Sequence, residues 1–395
     1  MVSQASPEKC FMQAIGKVYA GNALFQVTAE LYYGHSWGPR RPEALLAGQD
    51  CRIRPVCMEK IRRPVSIHIL SRSLLLLLLA GVSVAQAVDQ TQPGIRPGTL
   101  PKAWITGGPK CMEVPDWQVY EYNPDLYILR ESGCTHYEKP FLYLYFGTEK
   151  VMLVDTGSGD GDATGVVEQV ISKWLQRNHR DSISLVVAHS HSHSDHTAGD
   201  AKFAKLPNTT MVPLTVAGTQ QVFGIKKWPQ DIGGIDLGGR ILDVVPIPGH
   251  DQLSVAFYDR QTGILHAGDS LYPGRLYIND FAEFSRSTER LVDFTRDKVV
   301  THIVGCHIEQ TRTPYVDYPI GSMYQPDEHS LELSRAHLLE LNEALHDMRG
   351  HPARLALRDF TIFPVDDEVW KSLEITRQKT QEQQLRHMWD QTEEK

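Results

Sequence analysis

The chain has 395 residues, with 40 Lys and Arg against 48 Asp and Glu, so its formal net charge at pH 7 is −8. An acidic chain of this kind disfavours nucleic-acid binding as the main activity, because non-specific affinity for a phosphate backbone depends on Lys and Arg. The length by itself would suggest two or three domains.

The first recognisable segment, residues 58–87, has the order of a secretory signal peptide. Four basic residues precede an apolar run from Leu74 to Val84 and then Ala85-Gln86-Ala87; the basic residues are Lys60, Arg62, Arg63 and Arg72. The apolar run is short for a membrane span, so we expect cleavage after Ala87 and a periplasmic or secreted mature chain. Residues 1–57 are interpreted as a mis-started or disordered extension; the alternative is a genuine extension with an uncleaved anchor.

Removal of residues 1–87 leaves 30 basic and 43 acidic residues, a net charge of about −13. Three cysteines remain, Cys111, Cys134 and Cys306. In an oxidising compartment Cys111 and Cys134 can pair and leave Cys306 free, although sequence alone does not assign the bond.

The mature chain begins with a leader rich in Pro and Gly, residues 88–115, and continues with alternating strand and helix patterns. Strands are predicted at WQVYEY, DLYILRE, FLYLYFG and KVMLVDTG, a helix at Ala163–Arg177 capped by Asp162, and a strand at SISLVVAHS. Further strands are predicted at GGRILDVVPIPGH, LSVAFYD, GILHAGD and VVTHIVGCH. We assign residues 116–325 to one domain. Residues 326–395 form a C-terminal extension of two helices, the first at about 327–348, and the strand RDFTIFPV.

Several of these strands end at a His or Asp, which collects polar side chains at one edge of the predicted sheets. The richest such end is HSHSHSDH at residues 189–196. Imidazole and carboxylate both suit Zn(II), and the spacing lets His191 and His193 face one ion while Asp195 and His196 face a neighbouring one. His189 is interpreted as non-ligating and the serines as spacers.

Three more candidate ligands follow later strands: His250 in PGH, Asp269 in HAGD and His307 in GCH. The full set of five histidines and two aspartates is enough for two metals, each with an open position. His266 and His302 are interpreted as structural or supporting residues, with His302 an alternative to His307 as the last ligand.

In order, VDTG (154–157), HSHSDH (191–196), PGH, HAGD and GCH resemble the motifs of the metallo-β-lactamase superfamily over roughly residues 118–310. The resemblance implies an α/β fold, an αββα sandwich of two mixed β-sheets flanked by helices. It implies a first metal on His191, His193 and His250, and a second on Asp195, His196 and His307. It also implies that Asp269 bridges the two metals and that Asp155 orients the histidine loop.

We therefore expect an exported hydrolase with two Zn(II) per chain, or alternatively Fe, in which a metal-bridging hydroxide attacks an ester, thioester, lactone or related acyl bond. Asp195 is the candidate catalytic residue that orients or relays the proton of the hydroxide. The resemblance is closer to glyoxalase II and lactonases, which keep a bridging Asp, than to true β-lactamases, which usually carry Cys or Ser there. Glyoxalase II itself fits less well, because its glutathione thioester is cytosolic and its basic glutathione-binding residues are not recognisable here.

Three other functions stay open: a class B-like β-lactamase, a mononuclear iron sulfur dioxygenase and a non-catalytic binding protein stabilised by metal. The expected partner is a small-molecule acyl substrate, with no nucleic acid and no stable membrane span after signal cleavage. The candidate substrate-binding residues come from the segments at 271–281 and 311–329; they are Tyr272, Arg275, Tyr277 and Tyr318. Aromatic rings with polar tips and one cation suit an acyl compound with an anionic or hydroxyl group. The alternative is that these tyrosines only pack the loops.

Overall fold

The computed structural model describes residues 13–20, 23–30, 94–105 and 114–393. The chain divides into two compact units, residues 1–84 and 85–395. In the first unit, β1 (Gln13–Ala20) and β2 (Ala23–Glu30) pair as an antiparallel hairpin, inside the segment interpreted as a mis-started or disordered extension. The predicted signal peptide lies outside the described residues, as do Cys111 and part of the predicted leader.

The second unit contains fourteen strands and seven helices within its described residues. The strands are β3 (Trp117–Asn123), β4 (Leu126–Glu131), β5 (Phe141–Phe146), β6 (Lys150–Val154), β7 (Ser184–Ala188), β8 (Thr209–Met211), β9 (Gly233–Asp236), β10 (Ile241–Pro246), β11 (Val255–Asp259), β12 (Ile264–His266), β13 (Arg275–Ile278), β14 (His302–Val304), β15 (Leu355–Ala356) and β16 (Thr361–Pro364). The helices are α1 (Ala163–Arg177), α2 (Ser194–Thr197), α3 (Asp200–Phe203), α4 (Val216–Phe223), α5 (Phe281–Phe294), α6 (Arg335–Asp347) and α7 (Asp367–Glu393).

The strands form two large sheets and one small one. The first has the order β3-β4-β5-β6-β7-β8, antiparallel up to β6 and parallel from β6 to β8. The second has the order β14-β12-β11-β10-β9, with β12 and β14 parallel. The small sheet has the order β13-β16-β15. Both large sheets are mixed, as predicted.

Side-chain alternation along the strands builds three apolar cores. Tyr143 and Tyr145 of β5 pack with Val244 and Phe257 of the second sheet, in a core that both large sheets share. The alternate residues of β5, such as Leu144, pack in a separate core that includes residues of α1. A further core joins the other side of the second sheet to α5 and α6. The layers are therefore helix, sheet, sheet and helix, and the predicted αββα sandwich is confirmed.

The predicted strands and α1 are found at the expected positions, with α1 at Ala163–Arg177. The helix predicted at about 327–348 is shorter, since α6 begins at Arg335 behind the cap residue Ser334. The sequence analysis did not predict β13, which lies within the predicted substrate-binding segment 271–281. It also did not predict α5, which begins at the last residue of that segment. Within the described residues, every helix is too short or too polar to cross a membrane.

Candidate metal centre

The candidate ligands lie beyond the ends of strands that meet at one edge of the sandwich. β6 and β7 are parallel and pair Val154 with Ala188, so Asp155 and the histidine loop leave the first sheet side by side. β12 and β14 are also parallel and pair His266 with Val304, which brings Asp269 and His307 together from the second sheet. The parallel pairing explains why residues more than 100 positions apart reach one site.

Three histidines form the first group of donors. The His193 Nδ1 atom lies 3.1 Å from His191 Nε2 and 3.0 Å from His250 Nε2. Gly249 sets the approach of His250: its φ is +141°, and a Cβ there would lie 2.5 Å from the backbone of Phe284. A side chain at this position would therefore displace His250 from the group.

Asp195, His196 and His307 form the second group. The Asp195 Oδ2 atom lies 2.8 Å from His196 Nε2 and 3.2 Å from His307 Nε2, and the two imidazole nitrogens are 3.3 Å apart. All three side chains are buried. Each group has the three donors that a metal with an open fourth position requires.

Asp269 lies between the two groups. Its Oδ2 atom is 3.8 Å from His191 Nε2 and 3.7 Å from His250 Nε2 in the first group. It is also 3.7 Å from His196 Nε2 and 3.3 Å from His307 Nε2 in the second. Its Oδ1 atom is buried without a hydrogen-bond partner. One carboxylate therefore faces both groups and has an acceptor atom unused.

The tautomers of three histidines test whether the residues fit a metal. The Nδ1 atoms of His250 and His307 contact the carbonyl oxygens of Tyr277 and Glu138 at 2.7 and 2.9 Å, and a carbonyl can only accept. His196 Nδ1 likewise contacts Asp155 Oδ2 at 3.0 Å. Each Nδ1 therefore carries a proton, and in the neutral ring each Nε2 presents a lone pair to the centre.

The Nε2 lone pairs of His196 and His307 face one another at 3.3 Å and repel unless a cation lies between them. Tetrahedral zinc with Zn–N bonds of about 2.0 Å holds its ligand atoms about 3.3 Å apart, close to the separations in both groups. In the first group, burial also lowers the pKa of His250 to about 4 and holds the pKa of His191 well below its usual value, which favours the neutral form that binds metal. In the second group, burial is outweighed by the nearby carboxylates of Asp195 and Asp269, which raise the pKa of His196 and His307 and make a negative environment that favours a metal cation. The donor set fits a metal centre.

Asp155 fixes the loop that carries the donors. Its Oδ1 atom accepts the Ser190 backbone N–H at 2.7 Å, and its Oδ2 atom accepts the Ser190 hydroxyl at 2.7 Å as well as His196 Nδ1–H. Burial raises the pKa of this carboxyl, but the His196 ring more than offsets it and the net shift is downward. Asp155 therefore stays ionised and orients His196, which is the role that the resemblance implies for it.

The serines of the histidine loop do more than separate ligands, contrary to their interpretation as spacers. The Ser190 hydroxyl lies 3.0 Å from His191 Nδ1 as well as bonding Asp155. The Ser192 hydroxyl donates to Asp251 Oδ2 at 2.9 Å, and its N–H donates to Oδ1 at 3.2 Å. Both hydroxyls therefore anchor the loop, each through a hydrogen bond to an aspartate.

The other candidate histidines lie outside the donor groups. His189 Nε2 is paired with Asp200 Oδ1 at 2.8 Å. His266 Nε2 lies 3.2 Å from the Sγ atom of Cys306, a free buried thiol, and burial lowers the pKa of His266 to about 4. The His302 ring is half-buried against the edge of Tyr122. Cys134 is disulfide-bonded, and its predicted partner Cys111 lies outside the described residues.

A cleft with about 680 Å³ of empty space, open to solvent, lies over the donors. His193, Asp195, His250, Asp269 and His307 line its floor. Three of the predicted substrate residues line its wall, namely Tyr272, Arg275 and Tyr277. Tyr318 is not among the described lining residues: its hydroxyl accepts the N–H of Asp327 at 2.7 Å, and its carbonyl accepts the Arg275 guanidinium.

The sequence analysis missed several other residues that line the cleft, among them Glu138, Lys139, Glu309 and Trp370. Burial raises the pKa of Glu138 to about 7, and burial lowers that of the Lys139 ammonium to about 7. Glu309 follows the ligand His307 by two positions, which is the one sequence signal that identifies it. Glu138 and Lys139 precede β5 and Trp370 lies in α7, and none of the three belongs to a sequence motif.

An αββα sandwich with histidine and aspartate donors along one edge is the architecture of a metal-dependent hydrolase. The family model of the metallo-beta-lactamase superfamily matches residues 140–348, and the chain belongs to this superfamily.

Two proteins that are similar to this chain in sequence are named as hydrolases. The chain is 26% identical over 208 residues to a hydroxyacylglutathione hydrolase of Aeromonas hydrophila subsp. hydrophila, covering 51% of this chain and 74% of the relative. It is 24% identical over 236 residues to the acyl-coenzyme A thioesterase MBLAC2 of Bos taurus, covering 50% and 83%. A solved metallo-beta-lactamase from Pontibacter korlensis superposes with a TM-score of 0.40 at 19% identity, covering 58% of this chain and 99% of that one.

Proposed function

We propose that this chain is a dinuclear zinc hydrolase that cleaves an ester, thioester, lactone or related acyl bond. The observation that carries the proposal is the position of Asp269, whose one carboxylate oxygen lies within 3.8 Å of imidazole nitrogens from both donor groups. A single metal on the first group would leave the facing lone pairs of His196 and His307 unbalanced. Relatives named as a hydroxyacylglutathione hydrolase and an acyl-coenzyme A thioesterase support an acyl substrate.

The residues divide the work between binding and proton handling. Two bound Zn(II) ions would supply a water of lowered pKa and polarise the acyl carbonyl. His191, His193 and His250 would hold one ion, Asp195, His196 and His307 the other, and Asp269 both. Asp195 also lines the cleft, where its carboxylate is able to orient the attacking water or take its proton. Burial favours a neutral Asp195, but the His196 and His307 rings hold its pKa well below the usual range, which keeps the acceptor ionised.

The choice of an ester or thioester hydrolase over a β-lactamase rests on Asp269 as well. Within the superfamily that the chain resembles, true β-lactamases usually carry Cys or Ser at the position of Asp269. An aspartate that reaches both donor groups suits the thioester and ester hydrolases instead.

Metal content and a substrate panel test the proposal. Residues 88–395, reconstituted with zinc, are expected to bind two equivalents and to hydrolyse lactones, esters or thioesters faster than cephalosporins. His191→Ala is expected to lower kcat/KM by a factor on the order of 100 or more, because it removes a ligand. His302→Ala is the matched control: a histidine outside the donor groups, it should leave zinc stoichiometry unchanged.

Less than one metal per chain after reconstitution would contradict the dinuclear site. Iron retention with oxygen uptake would favour the dioxygenase, and full activity in His191→Ala would remove the site assignment.

We also propose that the mature protein is exported, on the basis of the signal-like order of residues 58–87. N-terminal sequencing of the protein recovered outside the cytoplasm is expected to begin at Val88. A product that keeps residues 58–87 would contradict cleavage.

A further inference from the structure

The charges along the cleft bear on the kind of acyl compound that it accepts. Among the described residues that line it, the side chains of Lys139 and Arg275 are basic. The Arg275 guanidinium lies 3.5 Å from Glu309 Oε2 and 3.7 Å from Asp317 Oδ2, so two carboxylates face one cation. The charge of Arg275 is therefore offset by two carboxylates, so Arg275 is not the free cation that the sequence analysis expected, while its buried Nη1 atom makes no hydrogen bond to the described residues.

Lys139 offers little more to an anion. It is 2% exposed, and its Nζ atom donates to the carbonyl oxygens of Tyr137 and Ser322 at 2.6 and 2.8 Å. Two of its three N–H donors are thus used by the protein. Glu138 and Glu309 line the same cleft, so an anionic substituent away from the metals would meet at least as many carboxylates as cations.

Aromatic and aliphatic side chains also line the cleft, beside the polar Ser322 and Gln325. Trp370 lines the cleft and is 36% exposed, with its ring 5.3 Å from that of Tyr277. The Tyr277 hydroxyl donates to Glu309 Oε1 at 3.2 Å, and the indole N–H of Trp370 donates to Asn279 Oδ1 at 3.1 Å. Their polar atoms are occupied, so what they offer a substrate is apolar ring surface, which Pro319 and Ile320 extend.

The position of Trp370 is fixed relative to the donors. The Asn279 side chain that accepts from the indole also donates to the His250 carbonyl at 2.5 Å. At the start of α7, Asp366 Oδ1 accepts the N–H groups of Glu368 and Val369 at 3.0 and 2.8 Å. A hydrogen-bonded path therefore holds this ring at a set distance from a candidate metal ligand, as a specificity contact requires.

We infer that the cleft selects acyl substrates whose non-reacting part is uncharged and apolar, and that Trp370 determines this selectivity. The inference rests on the proposed hydrolase function and narrows it, since a glutathione thioester carries two carboxylates and an ammonium group and a coenzyme A thioester carries several phosphate charges. Trp370 contacts the substrate away from the reacting atoms, so its loss changes the ranking of substrates more than the rate on the smallest one.

The test compares three para-nitrophenyl esters that share a leaving group: the acetate, the octanoate and the mono-ester of octanedioic acid. In the zinc-loaded wild type, kcat/KM is expected to rise from acetate to octanoate and to fall at least tenfold when the chain ends in a carboxylate. Trp370→Ala is expected to lower kcat/KM for the octanoate about tenfold and to leave the acetate within about twofold. Ile375→Ala, an exposed apolar residue of α7 outside the cleft lining, is the control and should match the wild type.

A binding measurement separates this inference from the proposed function. Calorimetric titration with a long-chain methyl ketone, which is not hydrolysed, is expected to show binding that weakens about tenfold in Trp370→Ala. Hydrolysis without preference for the uncharged chain, or an equal loss on acetate and octanoate in Trp370→Ala, would overturn the inference and leave the hydrolase intact. No hydrolysis of any ester, with the ketone still bound, would overturn the proposed function while the cleft keeps its selectivity.

Discussion

Glu131, the last residue of β4, is a carboxylic acid with no exposed surface. Its oxygens accept the backbone N–H of Ser158 at 3.2 Å and the Ser158 hydroxyl at 2.6 Å, which ties the loop after β6 to β4. Burial raises the pKa of Glu131 to about 7, against the hydrogen bonds from Ser158. In the folded state this group therefore keeps its proton at pH values where the unfolded chain has lost it.

This shift predicts a pH-dependent effect of Glu131→Gln. A pKa that is raised on folding stabilises the native state below the unfolded value near 4.5 and loses that contribution as pH rises through about 7. Glutamine resembles the protonated acid at every pH, so the variant is expected to gain roughly 2 kcal/mol relative to wild type between pH 5 and pH 8. Urea unfolding at the two pH values measures this. A constant difference would mean that Glu131 does not titrate in this range.

The donors could be predicted from sequence because they lie in short motifs directly after apolar strands. Of the groups that orient them, Asp155 could be predicted from its motif, but the backbone carbonyls could not. His250 and His307 are held by the carbonyls of Tyr277 and Glu138, and a backbone carbonyl has no residue type that marks it. Trp370 reaches the cleft from a helix whose pattern is mainly polar, so nothing local distinguishes it from a surface residue.

At the level of elements, local signals set α1 but not α6. The α1 boundaries follow from the apolar periodicity and from Asp162, whose side chain accepts the N–H of Gly165. The segment before α6 has a similar pattern, yet Glu328 bridges Thr311 and its carboxylate binds Arg130 in the first sheet. A partner 198 positions away overrides helix propensity in a way that periodicity alone does not reveal.

Removal of the α1 cap is expected to lower stability and leave the site intact. The Asp162 Oδ1 atom accepts from Gly165 at 2.9 Å, and Asp162→Ala leaves that N–H to water, at a cost of about 1 kcal/mol in the free energy of unfolding. Asp160→Ala, an exposed change in the same loop, should alter stability by less than half as much. Urea denaturation measures both; equal stability of the two variants would show that the cap contributes nothing.

At the scale of the whole second unit, the C-terminal region belongs to the sandwich. β16 pairs in parallel with β13, and Leu338, Leu341 and Phe360 lie in the core beneath the second sheet. The superfamily match also continues to residue 348, past the boundary predicted at 325. Residues 326–395, predicted as a C-terminal extension, therefore lie in the same compact unit as the two large sheets. Sequence could not show this, because helix and strand patterns do not state which sheet face they cover.

Truncation distinguishes an extension from an integral layer. A chain of residues 88–325 lacks six buried side chains of the core beneath the second sheet, namely Leu333, Leu338, Leu341, Leu345, Phe360 and Ile362. Truncating even one buried leucine to alanine costs about 2–5 kcal/mol, while a whole domain has a net stability of only about 5–15 kcal/mol. The shortened chain is therefore expected to lack a cooperative thermal transition and near-ultraviolet circular dichroism.

A chain of residues 88–365 is the matched control, because it removes only α7, none of whose described residues belongs to the three cores. It is expected to keep a cooperative transition, since both large sheets, α5, α6 and the β13–β16 pair remain. If residues 88–325 unfold cooperatively with native circular dichroism, the core beneath the second sheet does not need the C-terminal region. Loss of the transition in both chains would instead assign α7 a share of the stability that its exposed surface does not suggest.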